Sequence, residues 1–241
     1  MKTICFDFGN TLLKAAVFDG DVLKEVIVLP NHELGTIEEL LAAHRPDRTI
    51  LSSVIDHNRA LERLLSTKTQ FHLLSHLTRV NFTTPVGKPA SIGADRLALS
   101  AAAVHYFPGK NNLVIGMGSC ITYNFINQYH QFIGGSISPG MEMRFKAMQS
   151  FTAKLPLVEA DWNFPFSGYD TKTNMQSGVI AGITFEIAGF IDSYAIRYDN
   201  FNVVLTGGNT AYFARQLKKK IFADSNFLFK GLYALSETNH A

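Results

Sequence analysis

The 241-residue sequence predicts an α/β fold built from two units that derive from an internal duplication. Strand-like and helix-like segments alternate along the chain, as is typical of this class. In each half a strand enters a glycine turn and a second strand leaves it; the turns are Asp7-Phe8-Gly9-Asn10-Thr11 and Gly116-Met117-Gly118-Ser119. The Phe-Pro-Gly-Lys cluster at 107–110 indicates a boundary. We therefore expect domains at 1–108 and 109–241 that face each other across a cleft.

In the first half, runs of β-branched and aromatic residues predict strands, and apolar residues at helical spacing predict helices. Gly9 and Asn10 interrupt the first apolar run, so the first two strands form a hairpin with a polar tip. The prolines and glycines of residues 81–93 predict an irregular loop before an alanine-rich helix. The predicted strands are 2–8, 12–18, 22–29 and 49–54, and the predicted helices are 37–44, 58–66 and 94–106.

The second half repeats the hairpin and then becomes largely helical. Residues 116–119 form its turn, between two apolar runs. The predicted strands are 112–115, 121–126, 131–137 and 203–205. The predicted helices are 141–152, 173–198 and a terminal helix after residue 210.

Composition argues against several classes of partner. The net charge of +2 comes from dispersed charges, and the short basic cluster 218–220 reads as a solvated helix end, so we expect no nucleic acid. We find no run of about 18 apolar residues and no signal-peptide apolar region, so we expect a cytoplasmic protein without membrane attachment. Cys5 and Cys120 lie in apolar runs, which favours buried thiols in a reducing compartment.

The first turn combines groups that suit a nucleotide phosphate. Asp7 offers a carboxylate for Mg²⁺, Gly9 lets backbone N–H groups approach phosphate, and Asn10 and Thr11 add side-chain donors. Lys14 can neutralise further phosphate charge. The alternative is a plain turn, because Gly-Asn alone is a strong hairpin signal. A second such turn in the other half favours the phosphate interpretation.

Two further glycine-rich stretches lie in the second half. Thr206-Gly207-Gly208 follows an apolar strand and precedes a helix, so its backbone could meet an anion at a helix N-terminus. Strand-to-helix glycine turns are also common without a ligand. The stretch 134–140, Gly-Gly-Ser-Ile-Ser-Pro-Gly, predicts close approach by a ligand or by another backbone.

The motif Gly93-Ala94-Asp95-Arg96 places a carboxylate and a guanidinium side by side at the start of a helix. One interpretation makes Asp95 a helix N-cap. The other makes it the general base for a substrate hydroxyl, with Arg96 facing an acidic substrate or the transferring phosphoryl group. The irregular loop before the motif favours the second, because substrate-binding groups concentrate on such loops. No motif supports a hydrolase or a Rossmann dehydrogenase.

Taken together, these residues resemble the type III pantothenate kinases, members of the actin/hexokinase/acetate-kinase superfamily that include the Bvg accessory factor proteins. The resemblance covers nearly the whole chain. It rests on the turn of Asp7 with Lys14, on Gly93 to Arg96, and on further pieces in family order: Gly134-Gly135-x-Ile137-x-Pro139-Gly140, Leu155-Pro156, Gly168-x-x-Thr171, Met175-Gln176-Ser177-Gly178, Thr206-Gly207-Gly208 and Gly231-Leu232. It implies two ribonuclease H-like domains of the actin/hexokinase type with a cleft between them.

The resemblance also implies an activity, ATP-dependent phosphorylation of pantothenate to 4′-phosphopantothenate, the first step of coenzyme A synthesis. Asp95 would be the catalytic base and Asp7 would hold Mg²⁺. ATP phosphates would lie against Gly9, Asn10, Thr11, Lys14, Gly118, Ser119, Thr122, Thr206, Gly207 and Gly208. Pantothenate would lie near Gly93, Ala94, Arg96 and Thr171. The family is typically homodimeric and uses K⁺ or NH₄⁺ beside Mg²⁺.

Two positions depart from the family pattern. Gly116 stands where the family usually has the aspartate of Asp-x-Gly-Thr-Ala-x-Thr, which puts the monovalent-cation requirement in question. Val86 stands where the family tends to have a tyrosine, with Phe82 as the nearest aromatic residue. Two alternatives therefore stay open: a non-catalytic or regulatory nucleotide-binding member of the family, and a kinase of another small hydroxylated metabolite.

Overall fold

The computed structural model describes residues 1–9, 11–84 and 92–240, and in this part of the chain the predicted α/β class is confirmed. The strands are β1 Lys2–Phe8, β2 Leu13–Asp19, β3 Val22–Leu29, β4 Arg48–Ser53, β5 Gln70–Leu73, β6 Asn111–Met117, β7 Cys120–Ile126, β8 Phe132–Pro139, β9 Phe201–Gly207 and β10 Phe222–Ala223. The helices are α1 Leu34–His44, α2 Arg59–Lys68, α3 Ala94–Tyr106, α4 Met141–Ser150, α5 Thr171–Ala195, α6 Thr210–Gln216 and α7 Phe227–His240.

The chain divides into two compact units. The first unit contains Met1–Gly109, His130–Ile133 and the residues from 226 onward, and the second contains Lys110–Tyr129 and Gly134–Ser225. The two sheets of the described residues have the orders β3-β2-β1-β4-β5 and β10-β9-β6-β7-β8. In both, a central strand pairs antiparallel with the next strand of its hairpin and parallel with a later strand. This matching topology is what a duplication predicts; the cleft between the units stays a prediction.

The central strand of the first sheet is covered on both faces, and its side chains alternate between them. Ile4, Phe6 and Phe8 join one buried cluster with apolar residues of α1 and α2. The odd positions, including Cys5 and Asp7, point to the opposite face, where α7 packs on β1 and β4. A strand buried in this way reads as a near-continuous apolar run, so the single carboxylate at its end stands out.

Helix α7 belongs to the first unit, although the predicted boundary put it in the second domain. It packs along α3, and Gly231 permits the contact: a Cβ at this position would lie 1.9 Å from the Ala98 carbonyl oxygen. Its Tyr233 ring stacks on Phe18 of β2 with the ring centroids 4.8 Å apart. The boundary was predicted from a local cluster of proline and glycine. Such a cluster carries no information about where the end of the chain packs, so it could not show that α7 returns to the first unit.

Other differences from the predicted elements have local causes. The terminal helix after residue 210 is two helices, α6 and α7, separated by the short strand β10 that pairs with the sheet edge at β9. The basic cluster 218–220 follows the end of α6 instead of ending a helix, and Lys219 pairs with Asp192 of α5. Strand β5 was not predicted, because four residues with one histidine and one glutamine give little strand signal.

Helix α5 is the one helix of the described residues that is long and apolar enough, by length and composition alone, to cross a membrane. Core helices of soluble proteins pass the same test, so this is weak support for a span. Only 28% of its most apolar 18-residue window is buried within this chain. The sequence-based expectation of no membrane attachment therefore stays a prediction.

Candidate active site

The first turn closes the hairpin between β1 and β2. The Gly9 amide donates to the Leu12 carbonyl at 3.1 Å, and Thr11 is exposed at the tip. In the strand register Asp7 lies opposite Lys14 on β2 and beside Ser52 on β4. A carboxylate, an ammonium group and a hydroxyl therefore occupy neighbouring positions at this end of the sheet. Asn10, predicted to bind phosphate, lies outside the described residues.

The electrostatics of Asp7 link it to the Gly-Ala-Asp-Arg motif. Burial raises the pKa of the Asp7 carboxyl to about 6, the Lys14 charge lowers it, and the charge of Asp95 raises it again. A carboxylate whose charge raises the pKa of another carboxyl group must be its near neighbour. The first unit thus brings Asp95 close to Asp7 and to the hairpin on which Lys14 lies opposite Asp7, although Asp95 is far from both in sequence.

Asp95 lies in the first turn of α3 and is not its N-cap. The N-cap is Gly93, whose carbonyl oxygen accepts the Leu97 amide at 3.0 Å, and no side chain caps this end. The N-cap interpretation of Asp95 is therefore wrong, and its carboxylate is not committed to closing the helix. A carboxylate in the first turn is favoured by the helix dipole.

Arg96, next on α3, packs on an aromatic cluster. Its guanidinium carbon lies 5.4 Å from the ring centroid of Phe132, which itself lies 6.3 Å from that of Phe82. Both rings are buried. A guanidinium placed over an aromatic face is held by the ring quadrupole, which orients its remaining N–H groups. Phe132 was not predicted as a site residue. Val86 lies outside the described residues.

The second turn is built at the same place in the second sheet. The Gly118 amide donates to the Cys120 carbonyl at 3.1 Å, which closes the tip around Ser119. Two backbone segments press on it: the Gly140 amide donates to the Ser119 carbonyl at 3.0 Å, and the Gly208 amide donates to the Met117 carbonyl at 3.2 Å. The glycine stretches singled out in the sequence therefore approach another backbone at this turn.

Gly116 is flanked by two threonines in this arrangement. The register places it opposite Thr122 on β7 and beside Thr206 on β9. The Thr122 hydroxyl accepts from the Asn124 amide group at 3.2 Å. The Thr206 hydroxyl is buried and has no hydrogen-bond partner among the described residues. An unpartnered buried hydroxyl is costly, so this atom is a candidate to bind a ligand. Gly207 follows it with a φ of +106°, a conformation suited to glycine.

Thr171 is the first residue of α5, in the second unit, whereas Gly93, Ala94 and Arg96 belong to the first unit. Its neighbour Asp170 caps the helix: the Asp170 carboxylate accepts the Thr173 amide at 2.7 Å, in a capping box with the Thr173 hydroxyl. Hydrogen bonds from the Thr173 backbone and side chain lower the pKa of Asp170. The Asp170 carboxylate is therefore engaged in capping α5. For this reason it is poorly suited to replace the carboxylate that the family has at the position of Gly116.

The acidic residues suit a magnesium ion that arrives with a nucleotide. Within the described ranges, no group of three or more His, Cys, Asp or Glu side chains could hold a metal by itself. Mg²⁺ in phosphotransfer sites usually needs only one or two carboxylates, because waters and substrate phosphates complete its shell. Asp7 fits this role, since its raised pKa reports a buried carboxylate that a nearby cation would favour in its charged form.

The model of the type III pantothenate kinase family matches residues 3–193. A type III pantothenate kinase of Cytophaga hutchinsonii is 40% identical over 98% of this chain and 99% of its own length. One of Phocaeicola vulgatus is 40% identical over 98% of both chains, and one of Flavobacterium johnsoniae is 37% identical over 94% of this chain and 93% of its own length.

Solved structures share the fold at low identity. A conserved protein assigned to the Baf family from Campylobacter jejuni superposes with a TM-score of 0.62 at 20% identity, covering 98% of both chains. A ROK family protein from Streptococcus pneumoniae, solved in complex with sucrose, gives 0.55 at 14% identity over the whole of both chains. A glucokinase from an Antarctic psychrotroph gives 0.54 at 12% identity, covering 98% of this chain and 99% of its own. These likenesses support the actin/hexokinase-type fold, and the family match with the curated relatives shows that this chain belongs to the type III pantothenate kinases.

Proposed function

We propose that this chain transfers the γ-phosphoryl group of ATP to the terminal hydroxyl of pantothenate, giving 4′-phosphopantothenate and ADP. The observation that carries the proposal is the grouping of Asp7, Lys14 and Asp95 in the first unit of a chain of this family. In phosphoryl transfer the protein mainly positions the substrates and stabilises the developing charge. A base, a metal-binding carboxylate and an ammonium group at one place meet that need.

Asp95 acts as the general base. Its carboxylate takes the proton of the pantothenate hydroxyl as that oxygen bonds to the γ-phosphorus, and the bond from the γ-phosphorus to the bridging oxygen breaks. Arg96, held over the Phe132 ring, faces the pantothenate carboxylate. Gly93 and Ala94 let the substrate approach the start of α3. Thr171 contributes a hydroxyl to the same substrate.

The two turns hold the phosphates of ATP. Asp7 binds Mg²⁺, which neutralises phosphate charge when bound. The first turn adds Gly9, Asn10, Thr11 and Lys14, and the second adds Gly118, Ser119 and Thr122. Thr206 to Gly208 lie beside the nucleotide, and the buried unpartnered hydroxyl of Thr206 supports this assignment.

The monovalent cation of the family has lost one ligand in this chain. Gly116, which has no side chain, stands where the family has a carboxylate, and the strand register leaves only the neutral hydroxyls of Thr122 and Thr206 on the neighbouring strands. A cation held by neutral oxygens alone binds more weakly than one paired with a charge. We therefore expect turnover to depend only weakly on K⁺ or NH₄⁺.

The working form is a cytoplasmic homodimer that binds neither nucleic acid nor membrane. Helix α5 leaves apolar surface open: Phe185 is 62% exposed and contacts Phe166, which is 70% exposed. Adjoining exposed aromatic rings favour an interaction site at this place. A second copy of the chain is the occupant we propose. Light scattering on the purified protein should give the mass of a dimer, and flotation with lipid vesicles would contradict the assignment.

The central test is steady-state phosphorylation of pantothenate with Mg²⁺-ATP by the wild type and by Asp95→Asn. Loss of the base should lower kcat by about 100-fold or more. The matched control, Asp21→Asn in an exposed turn, should keep wild-type turnover. Wild-type protein that binds ATP without turnover would instead favour a regulatory protein. Turnover of another hydroxylated metabolite in preference to pantothenate would reassign the substrate.

A further inference from the structure

Glu186 is a carboxylate in the middle of the most apolar helix of the second unit. It lies on α5, and its side chain is only 22% exposed. Three donors from three other elements converge on it: the Tyr123 hydroxyl of β7 at 2.7 Å, the Ser138 hydroxyl of β8 at 2.5 Å, and the Arg144 guanidinium of α4. Burying a carboxylate here costs free energy unless hydrogen-bond donors satisfy it, and these three donors do so.

The network keeps Glu186 charged and Tyr123 protonated. Burial alone would raise the pKa of Glu186, but the hydrogen bonds from Ser138, Arg144 and Tyr123 outweigh it and hold the pKa below its ordinary value. Burial and the bond to Glu186 raise the pKa of Tyr123 well above its usual range. The carboxylate therefore accepts from all three donors at neutral pH.

Arg144 connects Glu186 to the backbone next to the second phosphate turn. Its Nε donates to the Pro139 carbonyl at 2.8 Å, while another of its nitrogens is paired with Glu186. The next residue, Gly140, donates its amide to the Ser119 carbonyl. The approach is close, because a Cβ on Gly140 would lie 2.3 Å from the Gly118 carbonyl oxygen and 2.6 Å from that of Ser119.

A second route joins Glu186 to the same turn. Tyr123 directly follows Thr122 on β7, and its ring stacks on Phe190 of α5 with the centroids 4.0 Å apart. Its hydroxyl bond to Glu186 thus fastens the outgoing strand of the turn to α5. The outgoing strand of the turn, through Tyr123, and the segment that packs on its tip, through Pro139 and Gly140, therefore depend on the same carboxylate.

We propose that Glu186 is a positioning residue for the nucleotide: it holds Arg144 on the Pro139 carbonyl and Tyr123 on β7, and so fixes the second phosphate turn around Ser119. The role rests on the proposed function, since it assumes that Ser119 and Thr122 bind ATP phosphates. A displacement of about 1 Å in such a turn is enough to lower turnover by as much as 100-fold. Glu186 itself touches no substrate.

Glu186→Gln removes the charge but keeps the size of the side chain. One amide oxygen can still accept from Tyr123 or Ser138, whereas Arg144 loses its ionic partner and is free to leave the Pro139 carbonyl. We expect KM for ATP to rise about tenfold while KM for pantothenate stays near the wild-type value. Arg144→Gln should give the same split. The double variant should be no worse than either single one, because both break the same link.

The matched control is Asp192→Asn. Asp192 lies on the same helix and also forms an ion pair, with Lys219, but that pair is exposed and is not linked to the turn. Its KM for ATP should be unchanged. If Glu186→Gln does not fold, Tyr123→Phe is the milder variant, because it removes one donor and keeps the ring stacking; a smaller rise in KM for ATP is then expected.

Direct titration of each folded variant with Mg²⁺-ATP separates this inference from the proposed function. Active wild-type protein with weaker ATP binding in Glu186→Gln and Arg144→Gln supports the positioning role. Equal rises in both KM values, or a lower melting temperature with unchanged ATP affinity, would overturn it. A wild type that binds ATP but never phosphorylates pantothenate would defeat the proposed function, while the ATP affinities of the variants would still decide the role of Glu186.

Discussion

The two glycine turns share their strand pairing and differ in charge. Asp7 in the first unit lies opposite Lys14 on the antiparallel neighbour and beside Ser52 on the parallel one. Gly116 in the second unit has Thr122 and Thr206 in the corresponding places. The two units thus have the same strand pairing at the turn, but the side chains there include charged groups in the first unit and are neutral in the second.

This difference suggests a division of labour. In the proposed function the charged turn binds Mg²⁺ and lies in the same unit as the proposed base, Asp95, and both roles need ionised groups. The neutral turn offers backbone amides and hydroxyls, and its geometry depends on neighbouring segments such as Gly140 and on the network of Glu186. We therefore expect substitutions in the first turn to affect chemistry, and those in the second to affect mainly nucleotide affinity.

The largest effect should come from Asp7→Asn, which removes the charge from the first turn. We expect kcat to fall by about 100-fold or more, because the amide holds Mg²⁺ poorly. The pH dependence sharpens the prediction. The raised pKa of about 6 belongs to the ligand-free protein, so wild-type kcat/KM should decline as pH falls through 6, when Asp7 takes up a proton. A pH–rate profile of the wild type and initial rates of the variant measure both effects.

The same substitution should stabilise the ligand-free protein at high pH. A folded-state pKa raised from 3.8 to about 6 favours folding below the lower value and loses that contribution as pH rises through the upper one. At pH 8 the ionised carboxylate then costs at most about 3 kcal/mol, which asparagine avoids. Urea unfolding at pH 5 and pH 8 should show a larger gain at pH 8. An equal change at both values would contradict the buried, ionised Asp7.

A smaller effect is expected when the second turn is given the charge of the first. Gly116→Asp places a carboxylate between Thr122 and Thr206. Without a monovalent ion it should repel the ATP phosphates and raise KM for ATP; with K⁺ or NH₄⁺ the affinity should recover by about tenfold, or about 1.4 kcal/mol. Gly116→Asn is the control of equal size without charge. A wild type that already needs the ion would show that another group replaces the aspartate.

The smallest effect concerns the unpartnered hydroxyl of Thr206. Thr206→Val keeps the shape and should raise the free energy of unfolding without ligand by about 1 kcal/mol, because a buried unsatisfied group is removed. It should also weaken Mg²⁺-ATP by about fivefold, the loss of one hydrogen bond. Thr49→Val is the contrast, since the Thr49 hydroxyl bonds to that of Thr69 at 2.6 Å and its removal should destabilise. Unchanged ATP affinity in Thr206→Val would exclude this hydroxyl from the nucleotide site.

Local patterns were enough to predict the strands of both hairpins, the alanine-rich helix α3 and the position of each glycine turn. These features depend on side-chain alternation and on turn chemistry within a few residues, and both are written in the sequence. The candidate residues Asp7, Asp95 and Ser119 were found for the same reason, because each interrupts an apolar pattern or begins a helix. Glu186, although a visible carboxylate in an apolar helix, could not be assigned partners in this way.

The sequence by itself therefore determined the α/β class, the duplicated turns and the family of this protein. Only the tertiary structure decided that α7 packs on α3, that Asp95 lies near enough to Asp7 to raise its pKa, and that Tyr123, Ser138 and Arg144 meet on Glu186. The physical reason is range. Propensity and periodicity act between neighbours in the chain, whereas burial, charge coupling and hydrogen bonds between distant elements exist only after the chain has folded.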